Sequence, residues 1–145
     1  MAAAKEFPPE KIRSIAVEVA SLLKERKETV SLHTGVTHCI RRLTQETKTG
    51  YKGPTTDIVA GLATNVRPKL GATYCVSESG TAGPTGGNTP NRTPGYVALA
   101  VATESGTYKR ELSTGHGGDR EANMIQFAVE GLVLLRDVIK GDAKL

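Results

Sequence analysis

Between Ser77 and Gly87 the chain reads S-E-S-G-T-A-G-P-T-G-G, a run of hydroxyls and glycines with few apolar side chains. Glycine lets successive backbone N–H groups turn toward one point, and such amides form a concave site for an anion. Ser79, Thr81 and Thr85 would add hydroxyl donors, while Gly83, Gly86 and Gly87 would supply the backbone freedom. A phosphate or carboxylate is the guest such a site suits. The run is not a nucleoside-triphosphate loop, because no lysine follows Gly87. Nor is it a dinucleotide fingerprint opening a helix, since Pro90, Pro94 and Gly95 rule out a helix immediately after it. On composition alone a second reading stays open, in which the glycines only serve the turns of a long structured connector.

Other side chains carry weaker signals. Glu78 could serve as a base or orient a hydroxyl, although a lone strand-end glutamate more often caps a turn or faces water. The guanidinium fork of Arg92 suits a phosphate, although in a loop it could equally be solvated. Arg120 follows Asp119 at a helix start, where a cation opposes the macrodipole; a carboxylate partner or a ligand is therefore expected beside it. Thr34-Gly35 places a hydroxyl near an amide-rich turn. His116, between two glycines, is free to reach a pocket but stands in no recognisable triad order. His33, His38 and Cys39 lack a fourth ligand at useful spacing, so no metal is expected. Cys75 lies in an apolar run and reads as a small buried hydrophobe.

These groups need elements to position them. Pro8-Pro9 opens a helix whose Ile12, Ile15, Ala16, Val19, Leu22 and Leu23 form one apolar stripe ending near Lys27. Thr29–Leu32 comes next as a first strand. Leu32–Gly50 has no clear periodicity and reads as irregular. Thr55 or Thr56 caps a second helix with Ile58, Val59, Leu62, Ala63 and Val66 inward, and Pro68 finishes it before Leu70-Gly71. Thr73–Ser77 and Tyr96–Ala102 are continuous apolar runs and read as buried strands. Glu104-Ser105-Gly106 turns the chain into an alternating, more exposed strand at Thr107–Leu112. Asp119 caps the last helix, with Met124, Phe127, Ala128, Leu132, Leu135, Val138 and Ile139 as its stripe and Gly141 closing it. The order predicts an α/β fold: a three-layer α/β/α sandwich with a mixed sheet, incomplete in its first half. Ligands in such folds sit at the carboxyl ends of strands, and Thr73–Ser77 runs into the Gly-rich loop there.

Composition narrows the partners. The 145 residues fit a single domain, 1–145, with 32–50 as its atypical segment. The formal charge of +4 is mostly balanced locally, as in K-E-R-K-E at Lys24–Glu28, and Arg41-Arg42 comes with no nucleic-acid signature. No nucleic-acid or membrane partner is expected. No apolar run is long enough to span a bilayer, and the N-terminus lacks the apolar core of a signal peptide. A cytoplasmic protein is the expectation.

Thr73–Gly87, then Pro94-Gly95-Tyr96-Val97-Ala98-Leu99-Ala100, then Gly118-Asp119-Arg120 together resemble the C-terminal domain of the competence/damage-inducible CinA protein family. The agreement covers Tyr51–Leu145, and the opening helix with Thr29-Val30-Ser31 is also similar. The resemblance implies a compact α/β/α domain, often a dimer or larger homo-oligomer. It further implies a small-molecule nucleotide ligand: family members include nicotinamide mononucleotide deamidases, which hydrolyse the carboxamide to nicotinic acid mononucleotide and ammonia without metal or organic cofactor. Carried over residue by residue, it places Ser79, Thr81, Gly83, Gly86 and Gly87 in the ligand loop, with Arg120 in the Gly-Asp-Arg element.

The first half departs from the family. Its members follow the first strand with Ser-x-Thr-Gly-Gly, whose serine is the favoured catalytic hydroxyl, and later with Gly-Gly-Val-Val-x-Tyr. Here Leu32–Gly50 stands instead, and only Thr34-Gly35 echoes the catalytic turn. Thr34 is thus the one catalytic candidate, and the serine does not carry over. The expectation is an amidohydrolase-like domain with impaired activity. Its alternative is an inactive remnant that binds a phosphorylated small molecule or a protein partner.

Overall fold

The computed structural model describes residues 6–34 and 53–144, without the side chains of His33 and Thr34. Most of the predicted atypical segment, with His38, Cys39 and Arg41-Arg42, lies outside the described residues. Helix α1 spans Glu10–Arg26, strand β1 Val30–Thr34, helix α2 Thr56–Lys69, strand β2 Tyr74–Gly80, strand β3 Tyr96–Ala102, strand β4 Thr107–Ser113 and helix α3 Arg120–Lys140. The four strands form one mixed sheet in the order β1-β2-β3-β4. β1 runs parallel to β2, while β3 and β4 continue antiparallel. Helices α1 and α3 cover one face and α2 the other, which is the expected three-layer sandwich.

Local chemistry accounts for the ends of the helices. Pro9 precedes α1, and Lys27 closes it in the left-handed region, its N–H bonded back to Leu23 and Lys24 carbonyls. Thr55 Oγ1 accepts the Ile58 N–H at the start of α2. Pro68 sits in the last turn of α2, which ends at Lys69 as its position predicts. Asp119 Oδ1 accepts the Ala122 N–H at the start of α3, and Gly141 ends that helix at φ +83°.

The sheet sorts its side chains by size. On the α1/α3 side, Val97, Leu99 and Val101 of β3 join Val76, Phe127, Leu135 and Ile139 in the main core. On the α2 side the same strand offers Ala98, Ala100 and Ala102, with half-buried Tyr96 at its start, packed with Cys75, Val59 and Ala63. Period-two alternation within an all-apolar strand thus gives a thick core on one face and a thin one on the other. Small residues let the α2 backbone lie near the sheet.

Three strands exceed their sequence-based bounds, β4 by Ser113 alone. β1 extends through His33 and Thr34, because its parallel register with β2 continues from Val30↔Tyr74 to Thr34↔Glu78. β2 extends to Gly80, paired antiparallel with Val97 of β3. Cross-strand hydrogen bonding carries both past the points where side-chain pattern fades. The extension makes Glu78 and Ser79 strand residues.

Candidate functional site

Beyond Gly80 the Gly-rich segment folds back over the end of β2. Thr81 N–H donates to the Tyr96 carbonyl (2.8 Å) and Gly95 N–H to the Thr81 carbonyl (2.7 Å), so the loop closes on the start of β3. Within it lies a short 3-10 turn at Pro90–Arg92, and Gly87 N–H donates to the Arg92 carbonyl (2.8 Å). Asn91 Nδ2 donates to the Pro54 carbonyl (2.9 Å), which ties the loop to the approach of α2. These contacts border an open hollow of about 250 Å³ lined by Gly53, Pro54, Gly80, Thr81, Gly86, Gly87 and Arg92.

Sequence logic expected successive amides to converge on a guest. Two of them, at Thr81 and Gly87, instead bond to carbonyls of the protein itself. The Thr81 hydroxyl likewise donates to the Asn91 carbonyl (3.3 Å). The cavity wall is held in shape by these bonds, while Gly86 borders the hollow with no intramolecular acceptor for its N–H among the described residues. Gly86 permits a close approach: a Cβ there would collide with the Arg92 carbonyl oxygen and lie 2.7 Å from Pro94 Cδ. Arg92 brings a guanidinium to the rim.

The other expected site residues are placed differently. Gly83 is buried outside the cavity lining at φ +85°, where a Cβ would meet Pro94 Cβ at 3.0 Å and Gly118 Cα at 3.3 Å. Arg120 Nη1 donates to the Gly83 carbonyl (3.2 Å). This contact is with the loop backbone, not with the carboxylate or ligand expected from the sequence. Ser79 is buried within β2 and does not line the cavity. Thr34 ends β1 opposite Glu78 in the register, and its side chain lies outside the described ones. His116 is exposed, its N–H bonded to Thr114 Oγ1 (3.3 Å).

Sequence reasoning missed two polar residues. Asn123, fully buried in the first turn of α3, donates through Nδ2 to the Ala82 carbonyl (2.9 Å) and the Gly117 carbonyl (2.8 Å). Its Oδ1 accepts the hydroxyl of Thr114. One amide therefore joins the Gly-rich loop, the end of β4 and the approach to α3. The available signal was its spacing: Asn123 stands four residues before Phe127, on the buried stripe of α3, where a polar residue requires partners. Ser77 is the second. Its Oγ is wholly buried, without a hydrogen-bond partner among the described residues.

Glu78 caps no turn among the described residues and is half-buried. It lines an apolar cleft of about 330 Å³ on the α1/α3 side of the sheet, where burial pushes its carboxyl above the ordinary range. Met124, expected in the buried stripe, is 52% exposed and lines that cleft. A larger hollow of about 520 Å³ lies at the opposite end of β2 beside Thr73 and Tyr74. Its Arg67 donates to the Ala72 carbonyl (3.2 Å), closing a turn. Among the described residues no cluster of His, Cys, Asp and Glu could hold a metal, and no helix is long and apolar enough to cross a membrane.

The pattern of the CinA C-terminal domain family matches residues 40–139. This chain belongs to that family. A CinA-like protein of Anaeromyxobacter dehalogenans (strain 2CP-C) is 42% identical over 79 residues, 54% of this chain and 19% of that protein. A CinA-like protein of Anaeromyxobacter sp. (strain K) matches to the same extent. The chain thus spans about a fifth of the length of these curated relatives. The competence/damage inducible protein CihA of Agrobacterium tumefaciens has the same fold, with a TM-score of 0.82 at 17% identity, covering 93% of this chain and 99% of that one. The competence or damage-inducible protein of Enterobacter asburiae gives 0.78 at 16% identity, over 90% of this chain and 99% of its own. At such identities the likeness to CinA-family structures establishes the fold alone.

Proposed function

We propose that the Gly-rich cavity binds the phosphate of a pyridine mononucleotide, nicotinamide mononucleotide or its acid, and that hydrolysis of the carboxamide is impaired in this chain. The supporting observation is the cavity itself, with the Arg92 guanidinium at its rim and the Gly86 amide bordering it. A guanidinium and a backbone N–H are complementary to phosphate oxygens. Thr81 shapes the wall, Asn123 and Arg120 fix the loop behind it, and Gly83 allows the close packing against Gly118.

Amide hydrolysis asks for more. A hydroxyl must be activated for attack, and the tetrahedral oxyanion must meet preorganised donors, each effect contributing roughly 10²–10⁴-fold. Among the described lining residues the only hydroxyl is that of Thr81, and it donates to a carbonyl. That arrangement favours binding over rapid turnover, and Thr34 remains the catalytic candidate on family grounds.

Calorimetric titration with nicotinamide mononucleotide and nicotinic acid mononucleotide tests binding, and ammonia release tests turnover. Both nucleotides should bind, and Arg92→Ala should weaken each about tenfold, the usual effect of removing one charge-assisted contact. Ammonia should form far more slowly than a family deamidase releases it. Absence of binding at millimolar nucleotide would overturn the site, and release at a full enzymatic rate would overturn the impairment.

A further inference from the structure

On the other side of β2 a second hollow has different chemistry. Leu32, Val76, Met124, Phe127 and Leu132 give it apolar walls, and Glu78 is its one ionisable group among the described residues. Strand alternation places Glu78 there, two residues after Val76 on the α1/α3 face. Gly131 opens the floor: a Cβ at that position would reach only ordinary contact with Leu99 and Val76, at 3.8 and 3.9 Å. The Glu78 carboxyl has no hydrogen bond or ion pair among the described residues.

We propose that this cleft binds a small organic ammonium ion with an apolar body, its nitrogen on the Glu78 carboxylate and its carbon frame against Phe127, Met124 and Leu132. A carboxylate against apolar walls is poorly solvated, and a cation of matching shape restores the lost interaction. The elevated pKa of Glu78 is the mark of that unmet demand. An anion would meet repulsion from Glu78 once ionised, and a neutral hydrocarbon would desolvate it further. Phe127 adds a ring whose face attracts cations, and Met124 a polarisable, adaptable wall. A volume of about 330 Å³ is at the small end of ligand cavities, which suits a monoamine rather than a polyamine chain or a peptide. Among the described residues the site shares no lining residue with the Gly-rich cavity.

The test uses 3-phenylpropylamine, with 3-phenylpropan-1-ol and 3-phenylpropionate as neutral and anionic counterparts, on the full chain at pH 7.5. Calorimetry gives affinities, and ¹³C-methyl methionine spectra locate the ligand, because the chain has only two methionines and one lines the cleft. The amine should shift the Met124 methyl signal and bind at least about tenfold more tightly than the alcohol, the range of a charge-assisted contact. The propionate should bind least. Glu78→Gln should erase the preference for the amine while leaving weak binding of the alcohol. Glu78→Asp, which keeps the charge, should retain the preference at reduced affinity. Equal affinity for amine and alcohol, a preference that survives Glu78→Gln, or an unmoved Met124 signal at millimolar amine would each overturn the proposal. Because nucleotide binding reads the other cavity, failure here leaves that reading untouched.

Discussion

Around the Gly-rich loop, polar groups close on one another: Thr81 on Tyr96, Gly87 on Arg92, and Asn123 on Ala82 and Gly117. Across the sheet, in the cleft beside α3, Glu78 meets apolar walls and no partner among the described residues. The same strand serves both regions, since Glu78 and Gly80 lie two residues apart on β2. One region is polar and, apart from the Gly86 N–H, largely bonded to itself, so its shape is set before any ligand arrives. The other is apolar with one group unpartnered among the described residues, so its chemistry is set by that group. A preorganised pocket and an unmet electrostatic demand are two separate routes to binding, and they should respond differently to substitution.

Asn123→Ala should have the largest effect on this contrast. It removes three hydrogen bonds at a fully buried position, taking the side-chain donor from two backbone carbonyls and the acceptor from the Thr114 hydroxyl proton. With a net contribution of about 1 kcal/mol per bond, a loss of about 2–3 kcal/mol is expected. Chemical denaturation would measure it, and hydrogen exchange should show the Ala82–Gly87 amides opening while the Val76–Glu78 segment stays protected. Uniform loss of protection would mean that loop and cleft form one cooperative unit, removing the distinction.

Gly80→Ala comes next, because Gly80 stands between the two regions. It lines the polar cavity, and an added Cβ would lie 2.7 Å from both Phe127 Cε2 and the Tyr96 carbonyl oxygen. Phe127 belongs to the cleft wall. The methyl must displace a ring, a strand end or both, and overpacking of this kind costs about 1–3 kcal/mol. Chemical shifts should move on both sides, at Arg92 and at Met124. Movement at one side only would show that Gly80 belongs to that side alone.

How far such features were legible depends on the physics of each. The buried strand at Tyr96–Ala102 was legible because a continuous apolar run bounded by Gly95 and Thr103 has few other uses. The caps at Thr55 and Asp119 were legible because capping is local. The end of β2 was not, since Glu78, Ser79 and Gly80 join the strand through backbone bonds to β3, which leave no mark on side-chain type. The loop was legible as a pocket builder but not in its accounting: glycine shows that amides can turn, and only the fold shows that Thr81 and Gly87 turn toward carbonyls. For Arg120 the sequence pointed to a carboxylate or a ligand, and the bond to the Gly83 carbonyl, which depends on how the loop folds, was not legible.

Glu78→Gln gives the smallest effect and the sharpest sign. Burial raises the Glu78 pKa in the folded protein, so the fold favours its neutral form. A raised acid pKa means that the native state binds the proton more tightly than the unfolded chain. Stability from this group is then fully present below the unfolded carboxylate pKa and falls as pH rises toward the higher folded value. Glutamine is neutral at every pH and of nearly equal shape. The variant should therefore match the parent at pH 3.5–4 and exceed it at pH 7, by less than either effect above. Ion-paired carboxylates such as Asp137, which bonds Arg110 and Arg136, titrate in both proteins and cancel in the difference. Calorimetric Tm values across pH 4–8 would trace the curve. A variant less stable than the parent at pH 7 would mean that the carboxylate is satisfied in solution, and the contrast between the two hollows would lose its electrostatic half.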